Sequence, residues 1–186
     1  MSTPGAALVG HQTRVEWMGR EVLTLADLWP PTDVRAAIVG LNQPPCGVEV
    51  GHYYQGRNAR TGLARLRAVG LLPAQQGGHD DDEALPAGIA FADVVKRPTG
   101  RAAAVSAAEI AHGRQVLERE LARHEVPLVI CMFKPAAEAL LGMADKPGIQ
   151  RRRAASGSVV FRMPGPYDAR ERVAAAMGEL AEHLRA

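Results

Sequence analysis

The chain has 186 residues, of which 47% are hydrophobic and 23% are charged, and its formal net charge is +2 at pH 7. These fractions are typical of soluble globular domains and exclude a disordered, fibrous or membrane-spanning chain. The length predicts one domain over residues 1–186, because domains commonly hold about 100 to 200 residues. Residues 1–24 are expected to form an edge segment of this domain.

The sequence shows no targeting or membrane signal. Its apolar stretches fall short of the roughly 20 residues that span a bilayer, and residues 1–14 lack the basic segment and apolar run of a secretory signal. We therefore expect a cytoplasmic protein without a membrane partner. Two cysteines, Cys46 and Cys131, cannot supply the four thiolates of an iron–sulfur cluster. No metal or cofactor is expected.

Short β-branched apolar runs alternate with longer helical patterns from residue 34 onward. Strands are predicted at 34–41, 88–95, 126–133 and 158–164. Helices are predicted at 62–72, from a capping box of Ser106 and Glu109 to about 124, after Pro135, and from an N-cap at Asp168. This order favours right-handed crossovers between parallel strands. The predicted fold is α/β, a three-layer α/β/α sandwich with a mostly parallel central sheet of about four strands.

Two segments have less regular patterns. Residues 15–25 are predicted to form a strand or a hairpin at the domain edge, and residues 75–87, rich in Gly, Asp and Gln, a mobile surface loop. The acidic run HDDDE at 79–83 lies in that loop. Consecutive acids lack a defined ligand geometry, so a solvated loop is favoured there over a cation site.

The segments that leave the predicted strands are candidates for a functional site. They are residues 40–57, 96–101, 134–135 and 163–170, and each of them contains Pro beside a polar or glycine residue. In an open parallel sheet the ligand crevice lies at the carboxyl ends of the strands. Rigid loops there would present backbone amides to a ligand, although Pro and Gly also punctuate ordinary turns.

Taken in order, these exits resemble the motifs of the uracil-DNA glycosylase superfamily, in particular its mismatch-specific uracil and thymine-DNA glycosylase branch. Gly40, Leu41, Asn42, Gln43 and Pro44 stand where that branch has Gly, Ile, Asn, Pro, Gly. HYYQGR at 52–57 follows, as does the stacking aromatic residue of the family; VVKRPT at 94–99 and MPGPYDAR at 163–170 match the later motifs. The resemblance covers about residues 24–185.

The resemblance implies a monofunctional DNA glycosylase. It would flip uracil or a related deaminated base out of duplex DNA, at a mismatch or a deaminated site, and hydrolyse the N-glycosidic bond as a monomer. Asn42 would orient the attacking water, and Tyr54, or Tyr53 if the register shifts, would stack on the base. Gly40, Leu41 and Gly165 would form the rest of the base site.

Basic and loop residues at the same exits are expected to contact DNA. These residues are Arg57, Lys96, Arg97, Pro166, Tyr167 and Arg170. The run Arg151–Arg153 is a further candidate for a phosphate-facing surface, although such arginines also occur on ordinary solvated helices and loops. His52 would be either a donor to phosphate or base, or a solvated loop histidine.

Several positions depart from the family pattern. Gln43 and Pro44 replace Pro and Gly, Gly165 stands where the last loop has Asn or His, and Ala169 stands where a larger apolar wedge is usual. Two other functions stay open on this account: a non-catalytic nucleic-acid-binding protein of the same fold, and an enzyme that hydrolyses free nucleosides or nucleotides. Asp93 is a second candidate for the catalytic base, or else a hydrogen-bonded structural acid.

Overall fold

The computed structural model describes residues 7–186, which form two sheets and six α-helices in that range. The strands are β1 (Gln12–Trp17), β2 (Arg20–Leu25), β3 (Ala36–Gly40), β4 (Ile89–Asp93), β5 (Leu128–Cys131), β6 (Gly148–Ile149) and β7 (Val159–Arg162). The α-helices are α1 (Pro45–Val50), α2 (Arg57–Ala68), α3 (Asp80–Ala84), α4 (Ala107–Arg123), α5 (Lys134–Leu141) and α6 (Arg170–His183).

The central sheet has the strand order β4-β3-β5-β7-β6. Its first four strands pair in parallel and correspond to the four predicted strands, so the predicted mostly parallel sheet is confirmed. The fifth strand, β6, pairs antiparallel with β7 at the edge. With only two residues, it is too short to leave a periodic pattern in the sequence.

Helices cover both faces of this sheet, which confirms the three-layer arrangement. β3, β4 and β5 are buried along their whole length, because alternate side chains enter the two layers on either side. Leu117 and Leu121 of α4 pack with the core of one face, together with α5. Leu66 of α2 and Leu180 of α6 pack with the core of the other face.

The described part of the predicted edge segment contains a hairpin, in which β1 and β2 pair antiparallel from Gln12 opposite Leu25 to Trp17 opposite Arg20. Residues 1–6 of that predicted segment lie outside the described residues. Leu28, just after β2, forms an antiparallel bridge to Phe91 of β4 and so attaches the hairpin to the edge of the main sheet. Trp17 is buried in the same core cluster as α4. The helix α1 was not predicted.

The helix starts test the predicted caps. Ser106 and Glu109 form the predicted capping box at α4, and Pro135 lies in the first turn of α5 as predicted. The predicted N-cap at Asp168 is wrong, because α6 begins one residue later with Ala169 as its cap. Asp168 instead accepts hydrogen bonds from the Gly165 amide at 2.7 Å and from Arg172 at 3.0 Å.

The acidic segment is not an irregular loop. Residues 80–84 form α3, and a 3-10 turn follows at Leu85–Ala87. Asp81 is fully buried, so the expectation of a solvated acidic run is wrong for this residue. Four carboxylates in the first turn of α3 favour a helix here, since they lie near the positive end of its dipole. None of the helices in residues 7–186 is long and apolar enough to cross a membrane.

Candidate functional site

A cavity of about 450 Å³ opens beside the carboxyl end of β3. Its size lies within the usual range for small-molecule sites, about 300 to 1,000 Å³. The sequence-predicted site residues that line it are Gly40, Leu41, Asn42, Tyr54 and Arg57. Residues that belong to the β3 exit, the start of α2 and the start of α5 therefore converge on one space, as expected for a ligand crevice at strand ends.

Asn42 is half-buried and held by the exit of β4. Its Nδ2 donates to the Arg97 carbonyl at 3.1 Å and to Thr99 Oγ1 at 2.8 Å. A carbonyl oxygen can only accept, so the nitrogen of the amide must face that strand exit. Its Oδ1 accepts none of the hydrogen bonds found within residues 7–186. The amide oxygen is therefore free to accept a hydrogen bond from a water or a ligand.

Asp93, the last residue of β4, lies beside Gly40 in the neighbouring strand and is 3% exposed. Gln43 Nε2 donates to its Oδ2 at 2.5 Å, whereas its Oδ1 is without a partner among the described residues. Burial raises the pKa of Asp93 to about 7, although Lys96 and the bond from Gln43 lower it. A carboxyl group with such a pKa can hold or release a proton near neutral pH.

Tyr54 brings a second unpaired polar atom to the same place. Its hydroxyl is buried and unpartnered within the described chain, and lies 3.2 Å from the position that a Cβ would take at Gly40. A Cβ there would also collide with Asp93 Oδ1, so only glycine allows both groups to approach. Burial raises the pKa of Tyr54 well above its usual value, with Asp93 adding to the effect, so the hydroxyl keeps its proton and is a donor.

Tyr53 belongs to the core and not to the cavity. Its ring is 1% exposed, and its hydroxyl donates to the Ala26 carbonyl at 3.0 Å. The alternative assignment of Tyr53 as the stacking ring is therefore wrong for this structure. Tyr54, by contrast, lines the cavity while still packing against the same core cluster. Its backbone is left-handed, with φ of +57°, a conformation that costs about 1 to 2 kcal/mol.

The cavity also has lining residues to which the sequence analysis assigned no role in the site. They include Gln43, Gln55, Asn58 and Phe133. Phe133 lies two residues after the end of β5 and directly precedes α5, so its position at a strand exit was the signal that could have found it. Its ring is half-buried and is a second aromatic surface in the cavity.

Two of the predicted DNA contacts are engaged inside the protein. Lys96 Nζ lies 2.6 Å from Asp27 Oδ1 and donates to the Asp93 carbonyl at 2.7 Å. Arg97 pairs with both oxygens of Glu109, at 2.6 and 2.8 Å, and lowers the pKa of that carboxyl to about 2. Both residues therefore support the exit of β4, and Lys96 is mostly buried in doing so. The side chain of Arg97 is still 37% exposed, so its contact with phosphate stays a prediction.

The last loop stays open to solvent. Tyr167 is 91% exposed, and Arg170 and Arg57 are exposed and take part in none of the ion pairs within residues 7–186. Gly165, with Pro166 next to it, lies in this loop but does not line the cavity; the Gly165 carbonyl accepts from Arg65 at 3.1 Å. The expected role of Gly165 in the base site is not supported by this geometry.

Arg151–Arg153 lie toward the amino ends of the parallel strands, whereas the cavity lies at their carboxyl ends. They follow β6, which runs antiparallel to β7, so the chain leaves β6 toward the amino end of β7. The expectation that these three arginines join the strand exits in one phosphate-facing surface is therefore wrong, because the direction of β6 carries them away from it.

Comparison with known proteins does not assign the chain to a family. No family model matches the chain, and no curated protein matches it.

Proposed function

We propose that the protein is a monofunctional DNA glycosylase that removes uracil or a related deaminated base from DNA. The observation that carries the proposal is Asn42, which lines the cavity. Its amide nitrogen is bonded to the β4 exit, whereas its oxygen accepts none of the hydrogen bonds found within residues 7–186. This arrangement suits a group that orients water, because the side chain is held before the substrate arrives and needs no reorganisation during the reaction.

Hydrolysis of the N-glycosidic bond forms one bond from water oxygen to the anomeric carbon of the sugar. The bond from that carbon to the base breaks, the base leaves with the electron pair, and a proton of the water finally neutralises it. Asn42 Oδ1 would accept a hydrogen bond from the water and direct its oxygen toward the sugar. The amide does not need to take the proton, because the sugar carbon is already cationic in the transition state.

Two buried polar atoms next to the cavity lining would pair with the edge of a base that displaces the side chains covering them. Asp93 Oδ1 and Tyr54 Oη both lie beside Gly40 and lack partners within the described residues. Leaving a buried polar group unpaired costs about 1 to 3 kcal/mol, so a base edge that pairs with them would recover that free energy. A carboxyl with a pKa of about 7 and a protonated hydroxyl together offer both an acceptor and a donor.

The proposal can be tested with end-labelled oligonucleotides that carry one uracil, thymine, hypoxanthine or undamaged base. Each is tested in matched, mismatched and single-stranded form, and alkali then cleaves every abasic site. We expect cleavage at one or more deaminated bases and none at undamaged ones. Folded protein that shifts these oligonucleotides on a gel yet yields no abasic product would be a binder and would contradict the proposal.

One observation favours a second candidate, hydrolysis of free nucleosides or nucleotides. Lys96 and Arg97 are paired within the protein, which leaves fewer free cations beside the cavity than DNA recognition was expected to use. Adding deoxyuridine, uridine and inosine to the assay, with chromatographic detection of the free base, distinguishes the two. Base release from nucleosides but from none of the oligonucleotides would favour this second function.

A further inference from the structure

Two imidazoles and two carboxylates form a cluster separate from the residues that line the cavity. His11 lies just before β1, His52 lies in the turn after α1, and Asp81 and Asp82 lie in the first turn of α3. One nitrogen or oxygen atom from each of the four side chains lies within 4.8 Å of the others. The three chain segments are far apart in sequence, so the tertiary structure alone assembles the cluster.

The separations within this cluster match a small tetrahedral metal site. His11 Nε2 lies 2.7 Å from Asp82 Oδ1 and 3.9 Å from Asp81 Oδ2. His52 Nδ1 lies 3.0 Å from Asp81 Oδ1 and 3.7 Å from Asp82 Oδ2. Zinc bonds of about 2.0 to 2.2 Å in a tetrahedron place neighbouring ligand atoms about 3.3 to 3.6 Å apart. The four observed separations lie on both sides of that value and involve both oxygens of each carboxylate, so side-chain rotations would have to bring one oxygen of each carboxylate into the tetrahedron.

The charge of the cluster also calls for a cation. Asp81 is fully buried and Asp82 is half-exposed, and their ion pairs within the described chain are with the two histidines alone. With neutral imidazoles, the two carboxylates leave a charge of about −2 in a partly buried place, which is costly to desolvate. One divalent ion balances this charge, and the imidazole nitrogens favour zinc over magnesium or calcium.

We propose that His11, His52, Asp81 and Asp82 bind one zinc ion. Four protein ligands complete a tetrahedron and leave no open position, which is the pattern of structural rather than catalytic zinc. The surrounding bonds hold the ligands in place: Asp81 Oδ2 also accepts from the Tyr53 amide at 2.8 Å, and the His52 ring stacks on His79 at 3.5 Å. Such outer contacts are usual around zinc ligands.

The zinc ion would clip the hairpin and α3 to the segment that supplies the cavity with Tyr54. The backbone already links these parts, since the His11 amide donates to the Gly51 carbonyl at 2.8 Å. His52 and Tyr53 directly precede Tyr54 in the chain. Zinc would therefore stabilise the left-handed backbone at Tyr54, and its loss would loosen this edge of the domain.

The test uses the full chain without an affinity tag, expressed with added zinc and freed of loose metal by gel filtration. We expect about one zinc per chain by elemental mass spectrometry. After removal of the metal by a chelator, Co²⁺ should give the intense visible band of a tetrahedral site, and one equivalent of Zn²⁺ should abolish it. A zinc content near zero together with an octahedral, weakly absorbing Co²⁺ spectrum would overturn the proposal.

Variants locate the site independently of any catalytic assay. Asp82→Asn is the gentler change, because this side chain is half-exposed, and His52→Ala removes a buried ligand. Both should weaken zinc affinity by at least tenfold and abolish the rise in melting temperature that zinc gives the parent chain. His183→Ala, at the end of α6, is the control and should keep both properties. Unchanged zinc affinity in Asp82→Asn and His52→Ala would overturn the assignment.

Discussion

Asn42 is anchored on one side only, and this asymmetry decides what the residue can do. Both of its strongest bonds, to the Arg97 carbonyl and to Thr99 Oγ1, use the nitrogen. The same two bonds also fasten the exit of β3 to the exit of β4. The residue is therefore a strand-end connector, and its free oxygen is what makes a further role in water positioning available.

We expect Asn42→Ala to lower single-turnover base excision by about 100-fold or more, the scale seen when a preorganised polar group is lost from a transition state. DNA affinity should change far less. Thr99→Val keeps the amide but removes one anchor, so a smaller loss is expected. Circular dichroism spectra of both variants serve as the check on folding. Parental excision by Asn42→Ala, with Asp93→Ala inactive, would move the catalytic role to Asp93.

Asp93 should make stability depend on pH. Its folded pKa of about 7 lies above the ordinary value for an aspartate, about 3.9, so between these values the folded chain keeps a proton that the unfolded chain has lost. Rising pH through this window therefore lowers the free energy of unfolding, and the loss is complete above pH 7. Asp93→Asn removes this pH dependence, because an amide does not titrate. Its oxygen can still accept the hydrogen bond from Gln43.

This expectation is measured as the urea midpoint of each chain between pH 5 and 8. The advantage of Asp93→Asn over the parent should grow as pH rises, while Asp33→Asn, which changes an exposed acid, should follow the parent. Parallel curves for the parent and Asp93→Asn would mean that this carboxyl group does not titrate within that window.

At the scale of elements, two helical glycines differ in their surroundings, so that substitutions at them measure helix packing at one position and helix propensity at the other. Gly113 of α4 is buried against the main sheet, and a Cβ there would overlap the carbonyl oxygen of Val94. Gly178 of α6 is exposed, and a Cβ there would meet nothing within 4 Å. The first glycine lets α4 approach the exit of β4, and the second only weakens its helix.

Gly113→Ala should therefore lower the free energy of unfolding by about 3 kcal/mol, the upper range for an overpacked site, because a backbone carbonyl cannot swing aside. Gly178→Ala should raise it by about 0.5 to 1 kcal/mol through helix propensity alone. Urea denaturation of both variants measures the difference. Equal effects of the two substitutions would show that the close approach of α4 to the sheet is misplaced.

At the scale of the whole molecule, the carboxyl ends and the amino ends of the parallel strands expose different arginines to DNA. Arg57 and Arg170 are exposed near the carboxyl ends of the strands, where the cavity opens, and Arg151–Arg153 lie toward the amino ends. A DNA strand bound at the mouth of the cavity would place its phosphates near Arg57 and Arg170. The second group would face away from it.

Replacing Arg57 and Arg170 by alanine should weaken DNA binding alike on all sequences and reduce the salt slope by about 2, one for each lost phosphate contact. The matched control replaces Arg151, Arg152 and Arg153, which removes more charge but should leave the slope unchanged. Fluorescence anisotropy at several salt concentrations measures both. A larger change of the salt slope in the control would place the DNA-binding surface at the amino ends of the strands.

The elements of the fold could be predicted because their signals are local. The β-branched runs at β3, β4, β5 and β7, and the capping box of Ser106 and Glu109, depend on neighbours in sequence and hold in the structure. The cluster of site residues at the β3 exit follows as well, since the carboxyl ends of parallel strands share one edge. Asn42, Tyr54 and Arg57 were brought together by that rule.

Only the tertiary structure decided which side chains are free to act. Lys96 and Arg97 look available in sequence, but Asp27, 69 residues away from Lys96, and Glu109 occupy them. Asp81 looks solvated within HDDDE, yet His52 and the Tyr53 amide surround it. The physical reason is the same throughout: local pattern sets an element and its buried face, whereas a charged group takes whichever partner long-range packing brings within reach.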